Sequence, residues 1–182
     1  MYHSNTERFL RYWRSVKKDA AAPSRDGFDP FALSDLAPQF MVLGVEGSSL
    51  PIRLSGGLIN DLHGHDLSGI DLISLFAFAQ HGGVRQATRA ALSGPTPMVL
   101  SVEGETYHKF MVRLQITLAP LLNREGTTDR LIGLYQPVTA LARLNEQPII
   151  QLTLRSISSD QDNSPQIRPG LSLATYNGRR IA

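Results

Sequence analysis

The feature that most constrains the fold is the alternation of apolar and polar side chains over residues 107–118. Such alternation is typical of a β-strand that buries one face and turns the other toward solvent or a partner. We therefore expect a sheet with one buried face, covered by helices. The predicted inward face carries Phe110, Val112, Leu114, Ile116 and Leu118, and the opposite face carries Lys109, Arg113, Gln115 and Thr117.

Four more strands are predicted from shorter apolar runs that turn residues separate. Residues 40–46 and 51–55 flank a Gly-Ser-Ser turn and form a hairpin. Residues 98–103 alternate and lead through Gly104 and Glu105 into the long strand, and residues 131–138 form the last strand of the sheet. The chain therefore has two strands before a helical region and three strands after it.

The segment between the second and third strands is predicted to form short helices separated by glycines. Gly56 and Gly57 end the second strand, and a short helix follows with Leu58, Ile59 and Leu62 at helical spacing. Gly64 stops this helix, another short helix follows Gly69, and residues 84–93 form a longer one.

This order of elements resembles that of a PAS domain, in which helices are inserted between the second and third strands of a five-stranded antiparallel sheet. The spacing from Gly64 to Gly69 resembles the G-x-x-L-x-G pattern of that family. The run P-x-R-x-x-F-D-P over residues 23–30 and the segment Arg53-Leu-Ser-Gly are similar to short single-domain PAS proteins of alphaproteobacteria. The likeness extends over residues 8–144.

We therefore predict an α+β fold: a PAS-like five-stranded antiparallel sheet with inserted helices, an N-terminal amphipathic helix and a C-terminal β extension. The predicted parts are the N-terminal helix and linker (1–22), the PAS-like domain (23–144) and the extension (145–182), which holds two short strands at 150–155 and 171–176.

Composition excludes several classes of function. The chain has 182 residues, a net charge of +2 and no cysteine, which excludes disulfides, thiolate catalysis and the cysteinyl-flavin adduct of PAS-type light sensors. Basic residues form no dense block, so no nucleic-acid partner is expected. No apolar run is long enough to insert into a membrane, and no signal peptide is apparent. We expect a cytoplasmic protein.

No pattern of residues points to catalysis or to a metal. Gly56-Gly57 before a helix could cradle a phosphate, but it lacks the rest of a phosphate-binding motif, so we interpret it as a structural turn. The histidines, among them His63 and His65, are interpreted as solvated surface residues. Haem would require His81 as its axial ligand. Nucleophile motifs are absent, and we predict that the chain is not an enzyme.

A ligand cavity between the inserted helices and the long strands is what the resemblance implies. Its predicted wall consists of Arg53, Phe76, Arg85, Phe110 and Tyr135, and the cofactor or ligand is unknown. Arg53 could hold a carboxylate or phosphate, or could instead pair with Glu46 across the hairpin.

We predict a non-catalytic PAS sensory or interaction module that binds a small ligand or a signalling partner. The alternative is a small enzyme or carrier on a similar curved sheet, which convergence of ionisable side chains in one pocket would favour. The helix over residues 5–18 carries an apolar stripe that must pack on its own sheet, on a second copy of the chain, or on both at once. The resemblance favours the second copy, and we predict a homodimer through this stripe, formed by Phe9, Tyr12, Trp13 and Val16.

Overall fold

The structure is a computed structural model that describes residues 1–160 and the backbone of two short strands near the end of the chain. The described residues contain three α-helices: α1 (Ser4–Lys17), α2 (Gly57–His63) and α3 (His81–Ser93). The strands are β1 (Phe40–Gly44), β2 (Ile52–Ser55), β3 (Met98–Thr106), β4 (Met111–Leu122), β5 (Thr128–Pro137), β6 (Ile149–Ser159), β7 (Thr175–Tyr176) and β8 (Arg179–Arg180). Short 3₁₀ helices cover Pro30–Gln39, Leu72–Leu75, Phe78–Gln80 and Leu141–Leu144.

One antiparallel sheet of six strands organises the fold, in the spatial order β2-β1-β5-β4-β3-β6. The first five strands confirm the predicted arrangement, with α2 and α3 inserted between β2 and β3. The expectation of five strands is wrong by one, because β6 of the C-terminal extension pairs along β3 from Met98↔Ser159 to Thr106↔Ile149. The predicted strand over 171–176 lies largely outside the described residues; β7 pairs with β8.

The inner face of the sheet is covered by α2, α3 and the 3₁₀ helices between them. Because side chains alternate along a strand, every second residue of β4 points into this layer. Val112, Leu114, Ile116 and Leu118 are all buried there, which confirms the predicted inward face over these four positions.

The fifth member of that predicted face, Phe110, is placed differently. β3 continues past Gly104 to Thr106, and the turn into β4 is formed by residues 106–110, with Lys109 at φ +66°. The Thr106 hydroxyl accepts a hydrogen bond from the Phe110 N–H at 3.2 Å. Phe110 therefore precedes β4 and is 38 % exposed, so the prediction that it is buried under the helices is wrong.

The outer face of the sheet is covered at one end by α1 and the 3₁₀ helix Pro30–Gln39. Phe9, Leu10 and Trp13 of α1 are buried, while Tyr12 and Val16 lie at the rim. The stripe of α1 thus packs on its own sheet, the first of the two packing sites considered above. The polar residues Lys109, Arg113 and Gln115 do not prevent this, because the helix lies on the apolar end of the face, formed by Val99, Ala119, Leu121, Ile132 and Leu134.

Hydrogen bonds hold α1 in this position. The Trp13 indole Nε1 donates to the carbonyl oxygen of Pro120 at 2.9 Å, and the Asn5 amide donates to Gln136 Oε1 at 2.9 Å. The Arg14 guanidinium pairs with Asp160, whose side chain is only 7 % exposed, directly after β6. The N-terminal helix is therefore bonded to β4, to β5 and to the end of the C-terminal strand.

Candidate functional site

A buried histidine at the end of α2 begins the candidate site. Gly56 serves as N-cap of this helix, and Gly64 ends it at φ +74° in the left-handed region that favours glycine. His63 lies four residues after Ile59, so the two side chains share one face of the helix. That face packs on the sheet, and His63 is buried with only 7 % of its surface exposed.

Tyr135 of β5 meets this histidine inside the inner core. It lies on the inward face of β5, two positions after Gly133, and is completely buried. The Tyr135 hydroxyl and His63 Nε2 are 3.0 Å apart, a hydrogen bond between side chains 72 residues apart in sequence. The two rings pack edge to face, with centroids 5.8 Å apart. His63 and Tyr135 are both ionisable and both buried, and they are called the buried pair below.

Burial makes both members of the buried pair neutral at physiological pH. Desolvation lowers the pKa of His63 to about 4; the Ile149 backbone opposes this shift, and the charge of His65 adds to it. Desolvation also raises the pKa of Tyr135 far above its ordinary value. A neutral imidazole and a neutral phenol can exchange hydrogen bonds with a ligand, but neither is charged for electrostatic catalysis.

The surroundings of the buried pair are apolar. Phe76, Leu114, Ile116 and Leu152 belong to the same buried cluster as Tyr135. No group of three or more His, Asp or Glu side chains in the part of the chain that the structure describes could hold a metal ion. Two ionisable side chains do converge here, but they lie inside an apolar core and are paired with each other.

The five residues predicted as a ligand wall do not form one site. Phe76 and Tyr135 both lie in the inner core. Arg53 is on the edge strand β2, 47 % exposed, and pairs with Glu46 as the second interpretation proposed. Phe110 lies at the exposed β3–β4 turn, and Arg85 faces a separate small cleft between α3 and the β1–β2 turn.

The interpretation of His63 as a solvated surface residue is wrong. Its helical phase with Ile59 and Leu62, both buried, is the signal that places it in the core. The interpretation of Gly56 as structural is supported, because a Cβ at this position would meet the backbone carbonyl oxygens of Ala37 and Pro38. The ring of His81 lies 3.0 Å from the carbonyl oxygen of Phe76 through Nε2.

Comparison with known proteins agrees with the fold. A family model described as PAS domain matches residues 1–136 of the 182, and the chain belongs to this family. PAS domains are sensory modules, so the fold is that of a signalling sensor. No curated protein matches the chain. No helix in the described residues is long and apolar enough to cross a membrane.

Solved structures similar to the chain include several light-oxygen-voltage domains. An RNA-binding light-oxygen-voltage receptor is 18 % identical with a TM-score of 0.49, over 64 % of this chain and 35 % of that one. A light-oxygen-voltage domain studied with a flavin analogue is 15 % identical with a TM-score of 0.49, over 63 % of this chain and 87 % of that one. A light-oxygen-voltage protein of Rhodobacter sphaeroides is 12 % identical with a TM-score of 0.47, over 64 % of this chain and 72 % of that one.

Proposed function

We propose that this chain is a non-catalytic PAS sensory module of the cytoplasm that binds a small, mostly apolar molecule in its inner core. The observation that carries the proposal is the buried pair, a hydrogen-bonded His63–Tyr135 contact at 3.0 Å inside an apolar layer. Small-molecule sites typically combine an apolar lining with a few placed polar groups. A ligand with one hydrogen-bonding group would exchange partners with this pair.

Ligand binding at the buried pair would act on α2 and β6, which lie close together. Gly64, the residue after His63, lies against Pro148, the residue before β6. A Cβ added to Gly64 would be 3.1 Å from Pro148 Cβ. At its other end β6 leads into Asp160, which holds Arg14 of α1. We propose that movement of α2 is transmitted along β6 to α1, and that α1 reports the bound state to a signalling partner.

Native mass spectrometry of the freshly purified chain tests the ligand proposal. The wild type is expected to show a retained mass in addition to the polypeptide. Tyr135→Phe removes one hydrogen bond at the site and should lower the occupancy up to tenfold, since about 1.4 kcal/mol corresponds to a factor of ten in affinity. Tyr107→Phe, at a residue 77 % exposed, is the matched control and should retain the mass. A bare polypeptide in the wild type, or equal occupancy in all three proteins, would refute the proposal.

A second candidate function, self-association, is favoured by the part of the outer face that α1 leaves uncovered. Large apolar side chains are exposed there and at the adjoining strand ends, and they are interspersed with the ion pairs Glu105–Lys109 and Glu103–Arg155. A two-fold contact brings such a patch against itself, and charges of both signs can then face opposite charges. We propose that a second copy covers this patch, so that the homodimer forms through the sheet and not through the stripe of α1. The patch consists of Tyr107, Phe110, Met111, Val138 and Ile150.

Sedimentation of the full chain tests this contact. We expect a dimer at micromolar concentration, and a monomer after Met111→Glu, because a carboxylate would be buried without a partner. Phe78→Glu changes a more exposed apolar residue beside α3 and should leave the dimer intact. A monomeric wild type, or a dimer that survives Met111→Glu, contradicts the assignment.

A further inference from the structure

A small cleft lies outside the inner core, between α3 and the turn that joins β1 to β2. Its volume is about 40 Å³, which is room for one small chemical group and not for a whole cofactor. Arg85 and Arg89 line it from the helix, and Ser48 and Ser49 line it from the turn. The two arginines are one turn apart, so both guanidinium groups reach the same side of α3.

Neither arginine has a carboxylate partner among residues 1–160. Arg85 Nε is fully buried and has no hydrogen-bond acceptor within the described residues. By contrast, six other arginines of the described chain each pair with an Asp or Glu side chain. A buried donor without an acceptor is destabilising, so an acceptor bound in the cleft would satisfy Arg85 Nε.

The acids closest in sequence to the cleft lining are already engaged. Glu46 of the β1–β2 turn pairs with Arg53 on the edge strand. Asp71 Oδ1 accepts the N–H groups of Leu50 and Ile73 at 2.9 and 3.1 Å. Neither acid forms an ion pair with Arg85 or Arg89 within residues 1–160.

We propose that the cleft binds a phosphate group, held by Arg85 and Arg89 with the Ser48 hydroxyl as a further donor. Guanidinium groups bind phosphate oxygens through paired N–H donors. Two guanidinium charges match a dianion, and the buried Nε of Arg85 gains an acceptor. The site is separate from the buried pair and does not depend on the ligand proposed there.

Titration of inorganic phosphate into the full chain, followed by amide NMR at constant ionic strength in chloride buffer, tests the proposal. We expect saturable shifts in residues 47–50 and in α3. Arg85→Gln and Arg89→Gln should each weaken binding at least tenfold. Arg11→Gln, an exposed arginine on α1 at the other face of the sheet, is the matched control and should leave the affinity unchanged.

Two further measurements identify the anion and keep the test valid if a variant does not fold. Acetate should bind at least tenfold more weakly than phosphate, and equal binding would overturn the assignment to a dianion. Phenyl phosphate binding more tightly than phosphate supports an organic phosphate as the natural ligand, and the reverse order supports free phosphate. Arg85→Lys keeps the charge but not the paired donors, so a several-fold loss is expected even if Arg85→Gln does not fold. No saturable shifts, or equal affinity in wild type and Arg89→Gln, would overturn the site.

Discussion

Removal of the Tyr135 hydroxyl tests whether the buried pair has the geometry described. Tyr135 is completely buried, and its hydroxyl has His63 Nε2 as its partner at 3.0 Å. Tyr135→Phe retains the ring and its packing but leaves the imidazole nitrogen without this partner in an apolar core. An unsatisfied buried polar group costs about 1–3 kcal/mol, so we expect the free energy of unfolding to fall by that amount.

Urea unfolding followed by fluorescence of Trp13 measures this loss. The chain has one tryptophan, and it is buried against the sheet, so its signal reports global unfolding. Tyr107→Phe should change the stability by less than about 0.5 kcal/mol, as is usual for an exposed site. The double variant His63→Leu/Tyr135→Phe removes both polar groups and should recover part of the loss. A Tyr135→Phe protein as stable as Tyr107→Phe would refute the hydrogen bond.

Three further outcomes are expected from the same packing. The pKa of His63 is lowered to about 4 in the folded protein from about 6.5 in the unfolded chain, so the folded protein binds fewer protons than the unfolded chain between these pH values. The contribution of His63 to the free energy of unfolding should therefore be complete above pH 6.5 and fall by up to about 3 kcal/mol toward pH 4. Urea unfolding at each pH should show that His63→Leu lacks this dependence. Leu114→Ala should cost about 2–5 kcal/mol whereas Phe110→Ala, at the exposed turn, should cost about 1 kcal/mol or less; equal losses in thermal or urea unfolding would contradict the β4 register. Gly56→Ala should destabilise the protein because its Cβ meets backbone atoms, whereas Gly57→Ala has open space and should not; melting temperatures that rank the other way would contradict this close approach.

The succession of strands along the chain could be predicted from the sequence because the alternation of apolar and polar residues is strong. Val112 to Leu118 show it without interruption, and the structure buries these inward positions. The start of β4 could not be placed, since Gly104 resembles a turn residue but lies inside β3, where its missing side chain admits the side chain of Ile149. The turn itself has Lys109 at positive φ, and nothing in the local sequence pattern marks a lysine as the residue with this backbone conformation.

The site and the packing of α1 depended on contacts between distant segments. His63 and Tyr135 are 72 positions apart, and single-sequence patterns contain no information on such pairs beyond the phase of each element. Likewise, the stripe of α1 predicts that a partner surface exists but not which one. The apolar end of the outer face becomes visible only when Ala119 of β4 and Ile132 of β5 are paired in register.

The most direct test of the proposed sensory site is NMR of the His63 imidazole in the full chain, before and after any retained ligand is removed. We predict a ring that is neutral at pH 7 and becomes protonated with a pKa of about 4. We also predict an Nε2 resonance that differs between the ligand-bound and ligand-free protein. A ring that titrates near pH 6.5 would show that His63 is open to water. An Nε2 resonance identical in both states would show that the ligand binds elsewhere, and either result would contradict the assignment of the buried pair as the ligand-sensing element.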